Sequence, residues 1–97
     1  MAAEVHVTVP LLRALGLLLV DPHREWYGSE IQIACGLSSG GVSGIVQRLV
    51  DWGWVVDRWG PGRQGPKRRY VRLTATGSRL GREMVRREAG RLGGGRA

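Results

Sequence analysis

The segment from Trp54 to Thr74 constrains this chain most. Two runs rich in β-branched and aromatic residues flank Gly60-Pro-Gly-Arg-Gln-Gly-Pro66, and the second run opens with Lys67-Arg-Arg69. Val, Trp, Tyr and Thr suit a pleated strand, and Pro and Gly punctuate regular structure, so the pattern predicts a β-hairpin with a basic tip.

Upstream, the spacing of apolar residues predicts three helices. Thr8 is placed to N-cap the first, with Pro10 in its first turn and Leu11, Leu12, Ala14, Leu15, Leu18 and Leu19 on a broad face that must be buried; Asp21-Pro22 ends it. In the connector, Trp26 and Tyr27 are expected to form a short strand against the hairpin. A short second helix is predicted from about Glu30 to Cys35, capped by Ser29 and stopped by Gly36 in the left-handed conformation. After the turn Gly36-Leu-Ser-Ser39, a third helix begins with Ser38 or Ser39 as N-cap and ends at Gly53. Val42, Ile45, Val46, Leu49 and Val50 fall on one side, and Gly40, Gly44, Gln47, Arg48 and Asp51 on the other, with Ser43 at the flank. Beyond the hairpin, a final helix is predicted from about Gly77 to Arg91, capped by Thr74 or Thr76. Its narrow stripe of Leu80, Met84 and Val85 stands among exposed Arg side chains.

Helix, turn, helix and basic hairpin in this order make an α+β, mainly α, winged helix-turn-helix: α1, short strand, α2, α3, hairpin wing, α4. Residues 1–8 are assigned to an N-terminal arm, 9–91 to the winged-helix domain, and 92–97, with Gly93-Gly-Gly95, to a disordered tail.

Charge is distributed as that architecture requires. Residues 1–57 hold three cations against six acids, net −3, and residues 58–97 hold twelve cations against two acids, net +10. A field so lopsided favours a polyanionic partner, nucleic acid before membrane. Genomic base bias accounts for an Arg- and Gly-rich composition but not for the clustering of cations.

Other classes of function find little. The lone Cys35 completes neither a disulfide nor a metal-ligand spacing and reads as a small core residue, which points to a cytosolic chain. The apolar run Leu11–Val20 is interrupted by Arg13 and is too short to span a membrane. His6 and His23 are far apart, the acids sit singly, and no phosphate loop or nucleophile elbow appears, so neither an enzyme, a cofactor nor a metal is expected. Trp52, Trp54 and Trp59 offer stacking surfaces for unpaired bases, but packing under the hairpin suits at least two of them better.

Tyr27-Gly28-Ser-Glu-Ile31, Gly36-Leu37, Gly40-Gly-Val42, Leu49, Gly53-Trp-Val55, Arg69-Tyr-Val-Arg-Leu-Thr74 and Gly77 together resemble the N-terminal winged-helix domain of PadR-type transcriptional regulators over roughly residues 9 to 85. The related MarR-type domain shares this architecture. The resemblance implies a cytoplasmic, nucleoid-associated bacterial repressor that binds double-stranded DNA as a homodimer, with the third helix in the major groove and the wing on phosphates or in the minor groove. Two departures are visible. Ser43 stands where the family usually has Tyr, and the chain carries only one helix after the hairpin, so an effector pocket between long C-terminal helices is not expected.

The residues assigned to DNA are Ser38, Ser39, Gly40, Ser43, Gly44, Gln47 and Arg48 on the third helix, and Arg58, Arg63, Gln64, Lys67 and Arg68 on the wing. Leu80, Met84 and Val85 are assigned to dimerisation. Two alternatives remain: an architectural or plasmid- or phage-maintenance protein that coats DNA with little sequence preference, and a winged-helix module whose basic face docks an acidic protein.

Overall fold

Each helix begins where its sequence supplies partners for the terminal backbone groups, and α2 and α3 also end at such partners. The computed structural model describes residues 7–62 and 65–93, with the backbone alone at 89 and 91–93. Helix α1 spans Val9–Val20; the Thr8 hydroxyl accepts the Leu11 N–H at 3.3 Å, and Pro10 sits where a helix needs no donor. Leu11, Ala14, Leu15 and Leu18 recur at helical spacing and are buried.

Strand β1 (Trp26–Tyr27) runs directly into α2 (Gly28–Cys35), so the second helix starts two residues earlier than the sequence suggests. Tyr27, not Ser29, is the N-cap residue, because the chain leaves the sheet there in extended conformation. The Tyr27 N–H is taken by the Glu30 carboxylate at 3.0 Å. Gly36 ends α2 at φ 67°, as expected of a left-handed stop.

Helix α3 (Ser39–Asp51) is capped by the Ser38 hydroxyl, which accepts the Gly41 N–H at 3.0 Å. Beyond Trp52, Gly53 turns at φ 78° and the Trp54 N–H returns to the Leu49 carbonyl at 2.9 Å. The chain thereby reverses into β2 (Val55–Gly60), which pairs antiparallel with β3 (Arg68–Leu73); β1 adds on the other side of β3 to give the order β1-β3-β2. Register pairs Val55 with Leu73, Asp57 with Val71 and Trp59 with Arg69, and Trp26 with Val71.

Because strand residues alternate between faces, Val55, Val71, Leu73 and Trp26 turn inward, while Val56, Arg58, Tyr70 and Arg72 turn outward. The core joins this inner face to the helices, and Leu11, Leu15, Leu18, Ile31, Leu49 and Val71 are fully buried within it. Truncating any of these leucines to Ala would cost about 2–5 kcal/mol through lost transfer energy and the cavity left behind.

Helix α4 (Ala75–Gly93) starts at Ala75, with Thr74 as the cap whose hydroxyl accepts the Gly77 N–H at 2.9 Å. It extends to Gly93, two residues past the predicted end, and residues 94–97 of the assigned tail lie outside the described part. Residues 1–6 of the assigned arm do so too.

Candidate nucleic-acid interface

Helix α3 presents its outward ridge through Gly40, Gly44, Gln47 and Asp51, since Val42, Ile45, Val46 and Leu49 are all turned into the core. A Cβ built at Gly40 or Gly44 would meet nothing within 4 Å. These two glycines are therefore not explained by packing against α1; they leave bare backbone on the exposed side of the helix. Ser39 and Ser43 lie on the flank that faces the hairpin.

Between that flank and the hairpin runs a cleft of about 250 Å³. Tyr27, Gly28, Ser29 and Gln32 form one end, Ser39, Val42, Ser43 and Val46 one wall, and Trp59, Lys67, Arg68, Arg69 and Val71 the other. Hydroxyls and cations thus line a groove with an apolar floor, a surface suited to an anion attached to something less polar.

Four cations of the hairpin are differently employed. Lys67 is exposed at the rim. The Arg68 guanidinium lies over the Tyr27 ring at 4.2 Å. Arg69 donates to Asp57 at 2.7 Å and to the Gln47 amide oxygen at 3.5 Å, while the Gln47 amide nitrogen donates to Asp51 at 3.0 Å. Gln47 is exposed, as its proposed role requires, but its amide is oriented by Asp51 and Arg69 rather than free to rotate.

Arg58 departs from the expectation of a DNA contact. Strand parity puts it on the outer face, where its guanidinium grips the Glu25 carboxylate through two bonds of 2.7 Å and lies 4.5 Å from the Tyr70 ring centroid. The hydrogen bonds from Arg58 hold the Glu25 carboxyl below the usual carboxylate range, against an opposing desolvation, and Glu25 in turn raises Arg58. Sequence reading missed this pair because 33 residues separate its members; only the β1–β3–β2 order brings Glu25, beside β1, to the hairpin.

Ser38 likewise has its hydroxyl occupied by the helix cap. Arg48 is half-buried on the flank of α3 away from the cleft. Arg63 and Gln64 lie outside the described residues. Of the stripe assigned to dimerisation, Met84 is 8 % exposed and belongs to the core, and Leu80 and Val85 pack half-buried against it. A dimer built on α4 would have only the outer atoms of Leu80 and Val85 to offer.

The remaining candidates, Trp59 excepted, behave as core or pack against it. Cys35 is buried, and burial raises its thiol pKa. Trp54 is buried and meets Trp52 edge-on at 5.1 Å between ring centroids, whereas Trp59 remains 65 % exposed. No described helix is long and apolar enough to cross a membrane.

No protein-family model and no curated protein matches the chain. Among solved structures, the PcaV transcriptional regulator from Streptomyces coelicolor, in complex with its natural ligand, is similar at 27 % identity and a TM-score of 0.64, over 78 % of this chain and 51 % of its own. Bacillus subtilis PadR in complex with operator DNA is similar at 17 % identity and a TM-score of 0.68, over 80 % of this chain and 47 % of that one. A transcriptional regulator homologue from Pyrococcus horikoshii OT3 gives 18 % and 0.71, over 90 % and 83 %. The chain spans about half the length of PcaV and of PadR. The expectation against a small-molecule effector finds no support among these relatives, since PcaV holds its natural ligand. With four helices, a β1-β3-β2 sheet and these neighbours, the chain has the winged-helix fold of the PadR- and MarR-type transcriptional regulators.

Proposed function

We propose that the chain is a sequence-specific, double-stranded-DNA-binding transcriptional repressor, not an enzyme, that acts as a homodimer. Ser39, Ser43 and Gln47, beside the bare backbone of Gly40 and Gly44, would meet the major groove, and Lys67 and Arg68 would hold phosphate. Arg63 and Gln64 would extend that contact towards the minor groove. The observation that carries this reading is one cleft in which the hydroxyl-bearing flank of α3 faces a wall of hairpin cations. An exposed helix N-terminal half with small residues permits close approach to base edges, and the cations supply the sequence-independent attraction. The solved complex of PadR with operator DNA supports it at the level of the fold.

The dimer would pair through α4 and the exposed part of α1, with half-sites about 10–10.5 base pairs apart. Arg79, Arg82, Arg86 and Arg87 stand exposed on α4 and would repel their symmetry mates, so the free dimer should be weak and tighten on DNA.

The test is a fluorescence-anisotropy titration of the whole chain against a duplex selected from a random pool, a random duplex and polyglutamate. The selected duplex should bind tightest, and Gln47→Ala should cost about 1–3 kcal/mol on it and far less on random DNA. Equal affinity for selected and random duplexes would favour the DNA-coating alternative, and preference for polyglutamate the protein-docking one.

A further inference from the structure

Trp59 is the one large aromatic side chain of the described residues that the fold leaves mostly in water, and the cations around it do not explain it. Trp26 and Trp54 are buried and Trp52 is half-buried, whereas Trp59 is 65 % exposed. It stands on the inward-facing side of the hairpin, cross-strand from Arg69, and forms part of the cleft wall opposite Ser39 and Ser43. An indole held there by the sheet on one side presents its other side to whatever enters the cleft.

The docking proposed above decides what that is. If α3 lies in a major groove and the hairpin tip reaches the adjacent minor groove, the backbone strand dividing the two grooves must pass between them, which is along this cleft. That strand alternates two chemistries, an anionic phosphate and the C–H face of a deoxyribose. The cleft carries the complement of both. Lys67 and the hydroxyls of Ser39 and Ser43 suit the phosphate, Asp57, cross-strand from Val71, is already neutralised by Arg69, and the indole suits the sugar.

We propose that Trp59 packs against a deoxyribose of duplex DNA lying in the cleft between α3 and the hairpin, and so supplies affinity that depends neither on sequence nor on salt. This inference rests on the DNA-binding reading. It also predicts a preference for B-form DNA, because double-stranded RNA has a major groove too deep and narrow for α3 and would turn 2′-hydroxyls towards the cleft.

The experiment uses the full chain as wild type, Trp59→Ala, Trp59→Phe and Lys67→Ala, titrated on a random duplex over a range of KCl concentrations and followed by anisotropy and tryptophan emission. Trp59→Ala should weaken binding about tenfold, the scale of one aromatic contact with nucleic acid, at every salt concentration and with an unchanged log-log slope. Trp59→Phe should recover most of that loss. Lys67→Ala should instead flatten the slope by about 0.9. Wild-type emission should shift to shorter wavelength on DNA, and the shift should vanish in Trp59→Ala, whose circular dichroism should match the wild type because the side chain is exposed.

Wild-type affinity in Trp59→Ala, or a loss that tracks salt, would overturn the proposal while leaving DNA binding intact. An emission shift that follows protein concentration without DNA would overturn it too, assigning the indole to a second copy of the chain. No binding of any duplex by the wild type would remove the DNA-binding reading itself and this inference with it.

Discussion

Replacing Gly77 by Ala should be among the most damaging single-methyl additions this fold can receive. Gly77 lies in the first turn of α4, and a Cβ there would fall 2.6 Å from the Trp54 carbonyl carbon and 2.9 Å from its Cα, with the carbonyl oxygen closer still. Both partners are backbone, so neither can swing aside. The same Trp54 oxygen accepts the Thr74 N–H at 2.9 Å and the Thr74 hydroxyl at 3.1 Å, and that hydroxyl also bonds the Gly53 carbonyl at 2.8 Å and caps Gly77. Admitting a methyl means prying α4 away from the α3–β2 turn and breaking part of this clamp. Helix propensity favours Ala by about 1 kcal/mol. Overpacking costs about 1–3 kcal/mol, and each of two or three lost hydrogen bonds a further 0.5–1.5 kcal/mol or so. The balance is a loss of about 1–6 kcal/mol, or a fall in Tm of at least roughly 5 °C for a chain of this size. Urea unfolding followed by circular dichroism and tryptophan emission measures it. Gly44→Ala is the matched control, because its Cβ would meet nothing within 4 Å, and it should gain about 0.5–1 kcal/mol. If Gly77→Ala proves as stable as the wild type or gains stability like Gly44→Ala, the clamp reasoning is wrong.

The Cys35 thiol, buried and held above its usual pKa by desolvation, should resist an aromatic disulfide reagent at neutral pH in the native state and react fully once the protein is unfolded; prompt native labelling would contradict its place in the core. Glu25 should titrate below the normal carboxylate range in carbon-detected NMR and return to it in Arg58→Gln. Since its folded pKa is the lowered one, the pair's contribution to stability is present above the unfolded value and lost as pH falls through the folded one, so the two proteins should differ less in stability under acid than at neutrality.

The element order was legible because its signals are local. Thr8, Gly36 and Gly53 mark helix ends through chemistry confined to one turn, and the alternation in Trp54–Thr74 marks strands the same way. The start of α2 was not, because Tyr27 serves at once as the last residue of the expected strand and as the helix cap, and nothing local shows that the helix follows that strand with no residue between them, which displaces Ser29 as cap. The availability of side chains was the least legible property. Gln47 is tethered by Arg69, 22 residues on, and Arg58 by Glu25, 33 residues back, partners that no spacing rule connects. Met84 illustrates the same limit: a narrow apolar stripe on a basic helix more often marks a core contact than an interface, but only α1 and Trp54 packed beside it decide between the two.

Those long-range pairs also change what the charge asymmetry of the sequence means. The net of +10 after residue 57 suggests six hairpin cations, Arg58, Arg63, Lys67, Arg68, Arg69 and Arg72, ready to displace counter-ions from DNA. Folding brings acids of the negative half among them: Glu25 takes Arg58 and Asp57 takes Arg69. A guanidinium already matched by a carboxylate brings little new charge to a phosphate, and Arg58 faces away from α3 as well. At most four hairpin cations then remain, and the hairpin's share of the log-log salt slope should be about 3.6 per protomer in magnitude, against about 5.4 for six. The individual variants separate these cases. Arg58→Gln should leave the slope of duplex binding unchanged, while Lys67→Gln should flatten it by about 0.9. A slope that falls equally in both would show that the Arg58–Glu25 pair opens on DNA, and that the outer face of the hairpin, not only its cleft side, meets the phosphates.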